Sequence, residues 1–249
     1  MVALSRNVTK STARSMSDTM KRVFVVGCPR SGTTLVQSVL AAHSGFSSFP
    51  ESHIFTESRF DLKWCMYGRL LGRRQWPSVV LGRAKNRFGI PAPSVHNRIH
   101  LFLERANLIE YASEFDSCPN NLASIFERFI RLLDIHGGSM GWIEKTPNNV
   151  FCIPMIERYV PNAQFVHVTR DAQSTIASIV DASQRYSDWE KRYLSSDQSI
   201  DRLIQLWKRS THTSLTYRNK ENHIILKHES IAETPEFEFH KVMRFIGAP

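Results

Sequence analysis

The sequence has no apolar run approaching the roughly 18–20 consecutive residues that a membrane-spanning helix needs. Its first 22 residues are polar, rich in Ser, Thr and Arg, and carry Asp18 as their single acidic residue. They therefore lack the apolar centre of a secretory signal. We expect a disordered tail over residues 1–22, no transmembrane segment and a cytoplasmic protein.

Cysteine is scarce, and no two cysteines are close enough to form a C-x-x-C pair. The four cysteines are Cys28, Cys65, Cys118 and Cys152. Such spacing fits neither a zinc site nor a disulfide framework. We expect no bound metal and reduced thiols, in keeping with a cytosolic compartment.

Acidic residues are rare between Arg59 and Arg105, where ten Lys and Arg residues face only Asp61 and Glu104. This segment carries +8 of the net charge of +9, and several aromatic residues are interleaved with it. Solvated basic side chains around a few core aromatics are the usual result of such a pattern. The alternative is a surface that binds an acidic substrate, an acidic polymer or nucleic acid.

The composition is otherwise ordinary for a globular protein, with 42% hydrophobic and 22% charged residues in a length that suits one α/β domain. Short apolar runs alternate with helical patterns. Strands are predicted at Val23–Val26, within MGWIEKT, at Gln164–Thr169 and at His223–Lys227, and helices at Thr34–His43, Asn120–His136, Asp171–Arg185, Asp197–Arg218 and from Thr234 to Gly247. That alternation predicts a three-layer, doubly wound parallel sheet of the P-loop NTPase-like class. Residues 23–249 should form a single domain, with a basic, helical or irregular insertion at about 59–118.

The turn after the first strand, Gly27–Thr34 with the sequence GCPRSGTT, has the features of a phosphate-binding loop. A strand that turns directly into a helix presents backbone N–H groups and the positive end of the helix dipole to an anion. The G-x-x-x-x-G spacing is kept, but Thr33 replaces the usual lysine, and Arg30 supplies a forked cation instead. A tight turn without a ligand is the alternative, but packing gives little reason for this run of polar residues.

The segment Pro29–Thr34, P-R-S-G-T-T, resembles the 5′-phosphosulfate-binding loop of sulfotransferases that use 3′-phosphoadenylyl sulfate (PAPS). A second resemblance lies in FVHVTRDAQSTIAS, where an arginine ends a strand and a serine follows about two helical turns later. The family binds the 3′-phosphate of the donor with such a pair. The motifs are closest in style to tyrosylprotein, glycan-type and bacterial members. The resemblance implies these donor-binding residues: Arg30, Ser31, Gly32, Thr33, Thr34, Arg170 and Ser178.

Two further segments carry the residues that the resemblance implies for catalysis. Lys145 in IEKTPNN and Arg30 in the loop would offset charge on the leaving phosphate and the sulfuryl oxygens. Glu51 in FPESHIF would take the proton of the acceptor hydroxyl, as transfer to an alcohol requires. His53 is the competing base, because small-molecule members of the family use a histidine. If residues 49–53 are extended, both side chains point to one side, so spacing does not separate them; we favour Glu51.

The resemblance therefore implies a PAPS-dependent sulfotransferase that acts on an acceptor hydroxyl and needs no metal. The sequence fixes neither the oligomeric state nor the acceptor: acidic, carbohydrate, tyrosine, lipid and small alcohol acceptors are all compatible. The chain ends at Pro249, before the basic loop with which many members close over the donor, which suggests a shortened chain or a donor site completed differently.

Two other functions compete with this interpretation. A P-loop kinase or NTPase is weakened by the missing lysine, and by Arg170 where a Walker-B strand would end in aspartate. A basic nucleic-acid-binding module ranks third, and we expect no nucleic-acid partner.

Overall fold

Five parallel strands form the centre of the protein in a computed structural model, which describes residues 20–70, 75–189, 193–194 and 199–248. The strands are β1 (Lys21–Gly27), β2 (Phe46–Phe49), β3 (Gly141–Lys145), β4 (Ala163–Thr169) and β5 (His223–Lys227). Their order across the sheet is β2-β3-β1-β4-β5, and every neighbouring pair is parallel. Because the order reverses direction beside the central β1, this is the doubly wound sheet that the sequence predicts.

The first strand begins earlier than predicted, because Lys21 and Arg22 already pair with β3. The guanidinium of Arg22 donates to Asp134 Oδ2 at 2.8 Å and to the Pro161 carbonyl at 2.8 Å, so this buried side chain connects the strand to two later parts of the chain. The tail predicted over residues 1–22 therefore ends before residue 21. Its first 19 residues lie outside the described part of the chain.

Helices connect the strands and cover both faces of the sheet. The α-helices are α1 (Thr33–Ala41), α2 (Ile54–Glu57), α3 (Leu62–Tyr67), α4 (Trp76–Arg87), α5 (Ser94–Arg105), α6 (Ala112–Asp116), α7 (Leu122–Ile135), α8 (Ile153–Tyr159), α9 (Ala172–Arg185), α10 (Ser187–Trp189), α11 (Ser199–Thr216), α12 (His228–Glu233) and α13 (Pro235–Ile246). Short 3-10 helices lie at Gly68–Leu70, Ile109–Tyr111 and Pro147–Phe151. Within the residues described, no helix combines the length and the apolar character needed to cross a membrane.

Alternate residues of β1 enter two different cores, which explains why the run Val23–Val26 within this strand is apolar throughout. Phe24 and Val26 lie in the larger core, which α5, α7, α8 and α11 cover. Val23 and Val25 lie in the smaller core on the opposite face, under α1, α12 and α13. Helix layers on both faces of one sheet give the three-layer architecture that the sequence predicts.

The segment predicted as an insertion, residues 59–118, folds into α3, α4, α5 and α6, although residues 71–74 lie outside the description. Helix α5 buries Ile99 and Phe102 in the larger core. The ring of Phe102 lies 6.2 Å from that of Phe49 and 5.2 Å from that of Phe129. The segment is thus part of the main core, and not a surface appendage.

Helix α7 begins at Leu122, two residues after the predicted start at Asn120. The backbone N–H of Ser124 donates to Asn121 Oδ1 at 2.9 Å, so Asn121 caps the helix. Its apolar stripe, which includes Ile125, Phe126 and Phe129, is fully buried. Burial of a stripe of this kind provides most of the stability of such a helix.

Candidate active site

A cavity of about 220 Å³ opens at the carboxyl ends of β1, β3 and β4. Ligands of doubly wound sheets bind at this edge. The cavity is lined by Pro29, Arg30, Gly32, Thr33, Thr34, Glu51, His53, Lys145, Pro147, Asn148, Arg170, Ser178 and Tyr193. Four separate parts of the chain, around residues 30–34, 51–53, 145 and 170–178, therefore bring together every residue that the sequence singled out, with the exception of Ser31.

The loop between β1 and α1 forms one wall of the cavity. Gly32 precedes α1 with φ of 98°, in the left-handed region, and a Cβ placed on it would lie 2.5 Å from Nδ1 of His228. Both the backbone conformation and the contact therefore require glycine. The close turn leaves the N-terminus of α1, with Thr33 and Thr34, at the cavity, where backbone N–H groups and hydroxyls can bind an anion.

Ser31 lies behind this loop and not in the cavity wall. Its side chain is fully buried, and its hydroxyl lies 2.7 Å from the Cys28 carbonyl and 3.0 Å from the Val168 carbonyl. The hydroxyl is thus used to hold the loop against β4. A role in binding the donor, implied by the resemblance, would have to come through the Ser31 backbone.

The side chain of Arg30 in the loop lies beside Arg170 and Ser178. Arg30 Nε donates to Ser178 Oγ at 3.0 Å, and an Arg170 guanidinium nitrogen lies 3.4 Å from the Arg30 carbonyl oxygen. The Arg170 carbonyl in turn accepts a hydrogen bond of 2.9 Å from Trp207 Nε1 of α11. The strand-end arginine and the helical serine are therefore close in space, as their spacing predicts.

Glu51 lies between two basic side chains on the far wall. Lys145 Nζ donates to Glu51 Oε1, and His53 Nε2 lies 3.0 Å from Glu51 Oε2. Partial burial by itself would raise the pKa of Glu51, but the hydrogen bond with His53 and the charge of Lys145 outweigh it and lower the pKa to about 2. The carboxylate is consequently charged at neutral pH.

The expectation of an extended segment over residues 49–53 fails at His53, which has φ of 54°. This left-handed residue turns the chain into α2, and its backbone N–H lies 3.3 Å from Thr146 Oγ1. Glu51 and His53 still both line the cavity, but they are hydrogen-bonded partners and not independent candidates.

Glu144 is a buried residue of the site that the sequence did not reveal. Its Oε1 accepts from Ser52 Oγ at 2.8 Å, from the Ser52 backbone N–H at 3.2 Å and from the Thr146 hydroxyl, while Oε2 accepts from Asn149 Nδ2 at 2.9 Å. Burial raises the pKa of Glu144, although the hydrogen bonds from Thr146 and Ser52 oppose this. One carboxyl group thus fastens the segment with Glu51 and His53 to the segment with Lys145.

The remaining lining residues that the sequence did not select are Pro147, Asn148 and Tyr193. Asn148 follows Lys145 closely in the IEKTPNN segment, so its place in the wall could have been inferred from that motif. Among the residues described, no group of three or more His, Cys, Asp or Glu side chains is arranged to hold a metal ion.

Comparisons with known proteins identify the family and the fold of the chain. Residues 22–249 match a family model described as "Sulfotransferase family". No curated protein sequence is similar enough to be matched. The fold resembles the sulfotransferase domain of the curacin biosynthetic pathway, with a TM-score of 0.59 at 19% identity, over 92% of this chain and 75% of that one.

Two bacterial sulfotransferases are similar in fold as well. The one from Mycobacterium tuberculosis has a TM-score of 0.55 at 15% identity, over 96% of this chain and 71% of its own. The one from Alicyclobacillus acidocaldarius has a TM-score of 0.51 at 14% identity, over 92% of this chain and 81% of its own. Identities this low establish a shared fold and leave the donor and the acceptor to be inferred from the site.

Proposed function

The chain belongs to the sulfotransferase family, and we propose that it transfers a sulfuryl group from PAPS to an acceptor hydroxyl. The observation that carries this proposal is the placement of Glu51, with its partners Lys145 and His53, in the same cavity as the loop of Arg30. An anion-binding loop that faces a charged carboxylate suits a reaction that needs both an anionic donor and a base.

The cavity fits the charge of the donor. Arg30, Lys145 and Arg170 line it, and Glu51 is the single carboxylate among the lining residues. The loop around Gly32 adds the backbone N–H groups of a helix N-terminus, which favour phosphate and sulfate oxygens. Arg30 and the loop would hold the 5′-phosphosulfate, while Arg170 and Ser178 would hold the 3′-phosphate.

The donor supplies the sulfuryl group and a phosphate as leaving group. Glu51 accepts the proton of the acceptor hydroxyl, whose oxygen forms the new S–O bond as the bond from sulfur to the phosphate oxygen breaks. Lys145 donates a hydrogen bond to that departing oxygen, and Arg30 offsets charge on the sulfuryl oxygens. Lys145 is close enough to Glu51 to exchange one partner for the other during the reaction.

His53 is the alternative base, because it shares a hydrogen bond with Glu51 and lines the same cavity. We favour Glu51 because its side chain is one-third exposed, whereas 13% of the His53 side chain is accessible. In this assignment His53 orients the carboxylate through Oε2.

The test is transfer of labelled sulfate from PAPS to a panel of tyrosine peptides, sugars, lipids and small alcohols. Wild type is compared with Glu51→Ala, His53→Ala and the exposed control Glu110→Ala, and binding of adenosine 3′,5′-bisphosphate (PAP) is measured for each. Transfer that is lost in Glu51→Ala and kept in His53→Ala supports Glu51 as the base. The reverse pattern assigns the base to His53.

The same assays separate the competing functions. ATP turnover that requires Mg²⁺, with no transfer from PAPS to any acceptor, would make the protein a P-loop kinase or NTPase and overturn the proposal. Salt-dependent binding of DNA or RNA that Arg30→Ala leaves unchanged would favour a nucleic-acid-binding module.

A further inference from the structure

A second cavity, a groove of about 420 Å³, lies between α3, α4 and α8. This groove shares no lining residue with the active-site cavity. Four arginines line it: Arg59, Arg83 and Arg87 from the basic segment, and Arg158 from α8. Asp61 is the one acidic residue in its lining. The groove therefore concentrates part of the positive charge that the sequence shows over residues 59–105, and it recruits Arg158 from far along the chain.

The single acid of the groove is already neutralised. Asp61 is 4% exposed, and its Oδ1 accepts from Arg59 at 2.8 and 3.0 Å and from Asn86 Nδ2 at 2.9 Å. Its Oδ2 lies 3.4 Å from Arg83 Nε. Arg59 and Asp61 thus form an internal pair, and the charges of Arg83, Arg87 and Arg158 are in excess at the groove.

The acid nearest in sequence to Arg158 does not cancel this charge. Glu157 lies 3.2 Å from both Lys220 Nζ and His223 Nε2, on the side of α8 toward β5. The guanidinium groups of Arg87 and Arg158 are on exposed residues, and the Arg83 side chain is 53% exposed. An anion in solution can therefore reach all three.

We propose that this groove is a second binding site, one that takes the sulfate or carboxylate groups of an acidic carbohydrate. Planar guanidinium groups match such oxyanions with paired hydrogen bonds, which makes arginine the suitable residue. Several arginines along two helices suit repeated charges on an extended chain better than they suit one small ion.

The aromatic rings beside the groove argue against a nucleic acid as the occupant. The Arg83 guanidinium lies 5.8 Å from the centre of the Trp64 ring, and that of Arg158 lies 5.4 Å from the centre of the Tyr159 ring. An arginine lies over each of these rings and so competes with the base stacking that single-stranded nucleic acids use. The contacts also hold the guanidinium planes in place.

A peptide is a poorer match than a carbohydrate. The charged donors at the groove are guanidinium groups, while the Asp61 oxygens are occupied, in part by Asn86 Nδ2. Each backbone N–H of a peptide can only donate and needs an acceptor, whereas a carbohydrate hydroxyl can accept instead, and sulfate and carboxylate groups need donors alone.

The groove and the active site are joined by one stretch of chain. Pro147 and Asn148 line the active-site cavity from the 3-10 helix that leads into α8, which carries Arg158. The path from Asn148 to Arg158 is no longer than about 20 Å along these helices. A carbohydrate held at the groove would be the sulfuryl acceptor, a step that rests on the proposed function.

The first experiment measures binding and does not depend on catalysis. The full chain is titrated with a heparin-derived oligosaccharide, an oligoglutamate peptide and single-stranded DNA, at matched charge and physiological salt. The double variant Arg87→Glu/Arg158→Glu should weaken oligosaccharide binding by about tenfold or more. Arg218→Glu, at an exposed arginine outside the groove, should leave it nearly unchanged.

Three outcomes would overturn the proposal. In the first, the wild type does not bind the oligosaccharide. In the second, Arg218→Glu weakens binding as much per charge as the groove variant does. In the third, DNA or the peptide binds more tightly than the oligosaccharide, and the groove variant loses that ligand. In the second case the net charge of the protein, and not the groove, attracts the oligosaccharide.

The second experiment uses sulfuryl transfer and separates this proposal from the proposed function. The groove variant should raise the KM for a sulfated or carboxylated carbohydrate acceptor and leave the affinity for PAP unchanged. If transfer from PAPS is absent in wild type, the proposed function fails, while the binding result still decides whether the groove takes acidic carbohydrate.

Discussion

The carboxylate of Glu51 bridges Lys145 and His53, with one oxygen paired to each. Glu51 follows β2 and Lys145 ends β3, so the bridge joins the carboxyl ends of two neighbouring strands. Because the sheet fixes both strand ends, it also fixes the distance between the candidate base and the candidate leaving-group cation.

Replacing Glu51 by glutamine should slow sulfuryl transfer by about a hundred- to ten-thousandfold, because glutamine keeps the shape but cannot take a proton. Binding of PAP should be nearly unchanged. A single-turnover rate and a titration with PAP check the two parts, with Glu110→Gln as a control at an exposed acid. A loss of PAP affinity as large as the loss of rate would mean that Glu51 only positions Lys145.

Removing the imidazole of His53 should raise the pKa of Glu51. Burial raises this pKa, and the His53 hydrogen bond and the Lys145 charge bring it down to about 2. A depressed pKa in the folded state stabilises the fold above the ordinary carboxyl value of about 4.3, and this contribution is lost as the pH falls through the folded value.

Carbon-13 NMR of labelled glutamate side chains checks this pH dependence. In wild type, Glu51 should not titrate between about pH 4 and pH 8, whereas in His53→Phe its titration should move up toward the ordinary range. An unchanged titration in His53→Phe would leave Lys145 as the sole cause of the shift.

Replacing Ser178 by alanine should weaken binding of PAP by about tenfold, the usual cost of a hydrogen bond with a charged group. The reason is that Ser178 Oγ accepts from Arg30 Nε at 3.0 Å, so its loss affects both the loop and the predicted 3′-phosphate site. Calorimetric titration with PAP measures the change, and Ser113→Ala on the exposed face of α6 is the control. Equal affinity in Ser178→Ala and wild type would remove Ser178 from the donor site.

Local signals explain the parts of the site that the sequence predicted. The loop with Arg30 lies between one strand and one helix, and Arg170 and Ser178 lie at a strand end and on the helix that follows it. Backbone geometry fixes such neighbours within a few turns, so a short motif is enough to place them. The apolar stripe of α7 could be predicted from the sequence for the same reason.

Long-range contacts explain what the sequence did not predict. Glu144 accepts hydrogen bonds from Ser52, which lies 92 residues earlier. Without knowledge of that partner, the sequence predicts that an acidic residue within a strand is exposed to solvent. Helix α5 did have a readable signal in the spacing of Val95, Ile99 and Phe102, but the basic residues around it obscured the pattern.

Changing Glu144 should show that it positions the catalytic residues. Glu144→Ala leaves the buried donors of Ser52, Thr146 and Asn149 without their acceptor, at a cost of about 1–3 kcal/mol for each group. In Glu144→Gln the new amide meets the amide of Asn149. The second change Asn149→Asp should restore a donor–acceptor pair there.

The double variant Glu144→Gln/Asn149→Asp should therefore recover stability, seen by urea unfolding, and transfer rate relative to Glu144→Gln alone. A Glu144→Gln variant that loses stability but keeps the wild-type transfer rate would contradict a positioning role and leave Glu144 a purely structural residue.

Acid should destabilise the protein below about pH 6.5 because of the buried His167. His167 is fully buried, its Nε2 lies 2.8 Å from His223 Nδ1, and burial followed by the charge of His223 lowers its pKa from the usual 6.5 to about 3. Between these two values the unfolded chain binds a proton that the folded chain does not, so stability falls as the pH falls. The slope for one such group is about 1.4 kcal/mol per pH unit.

Urea unfolding at several pH values between about 5 and 7.5 measures this slope. His167→Gln should flatten it, because the amide can still donate to His223 and has no proton to gain. His240→Gln, on the exposed face of α13, should leave the slope unchanged. An equal slope in wild type and His167→Gln would move the acid sensitivity to other groups, of which His223 is the first to test, because burial lowers its pKa too.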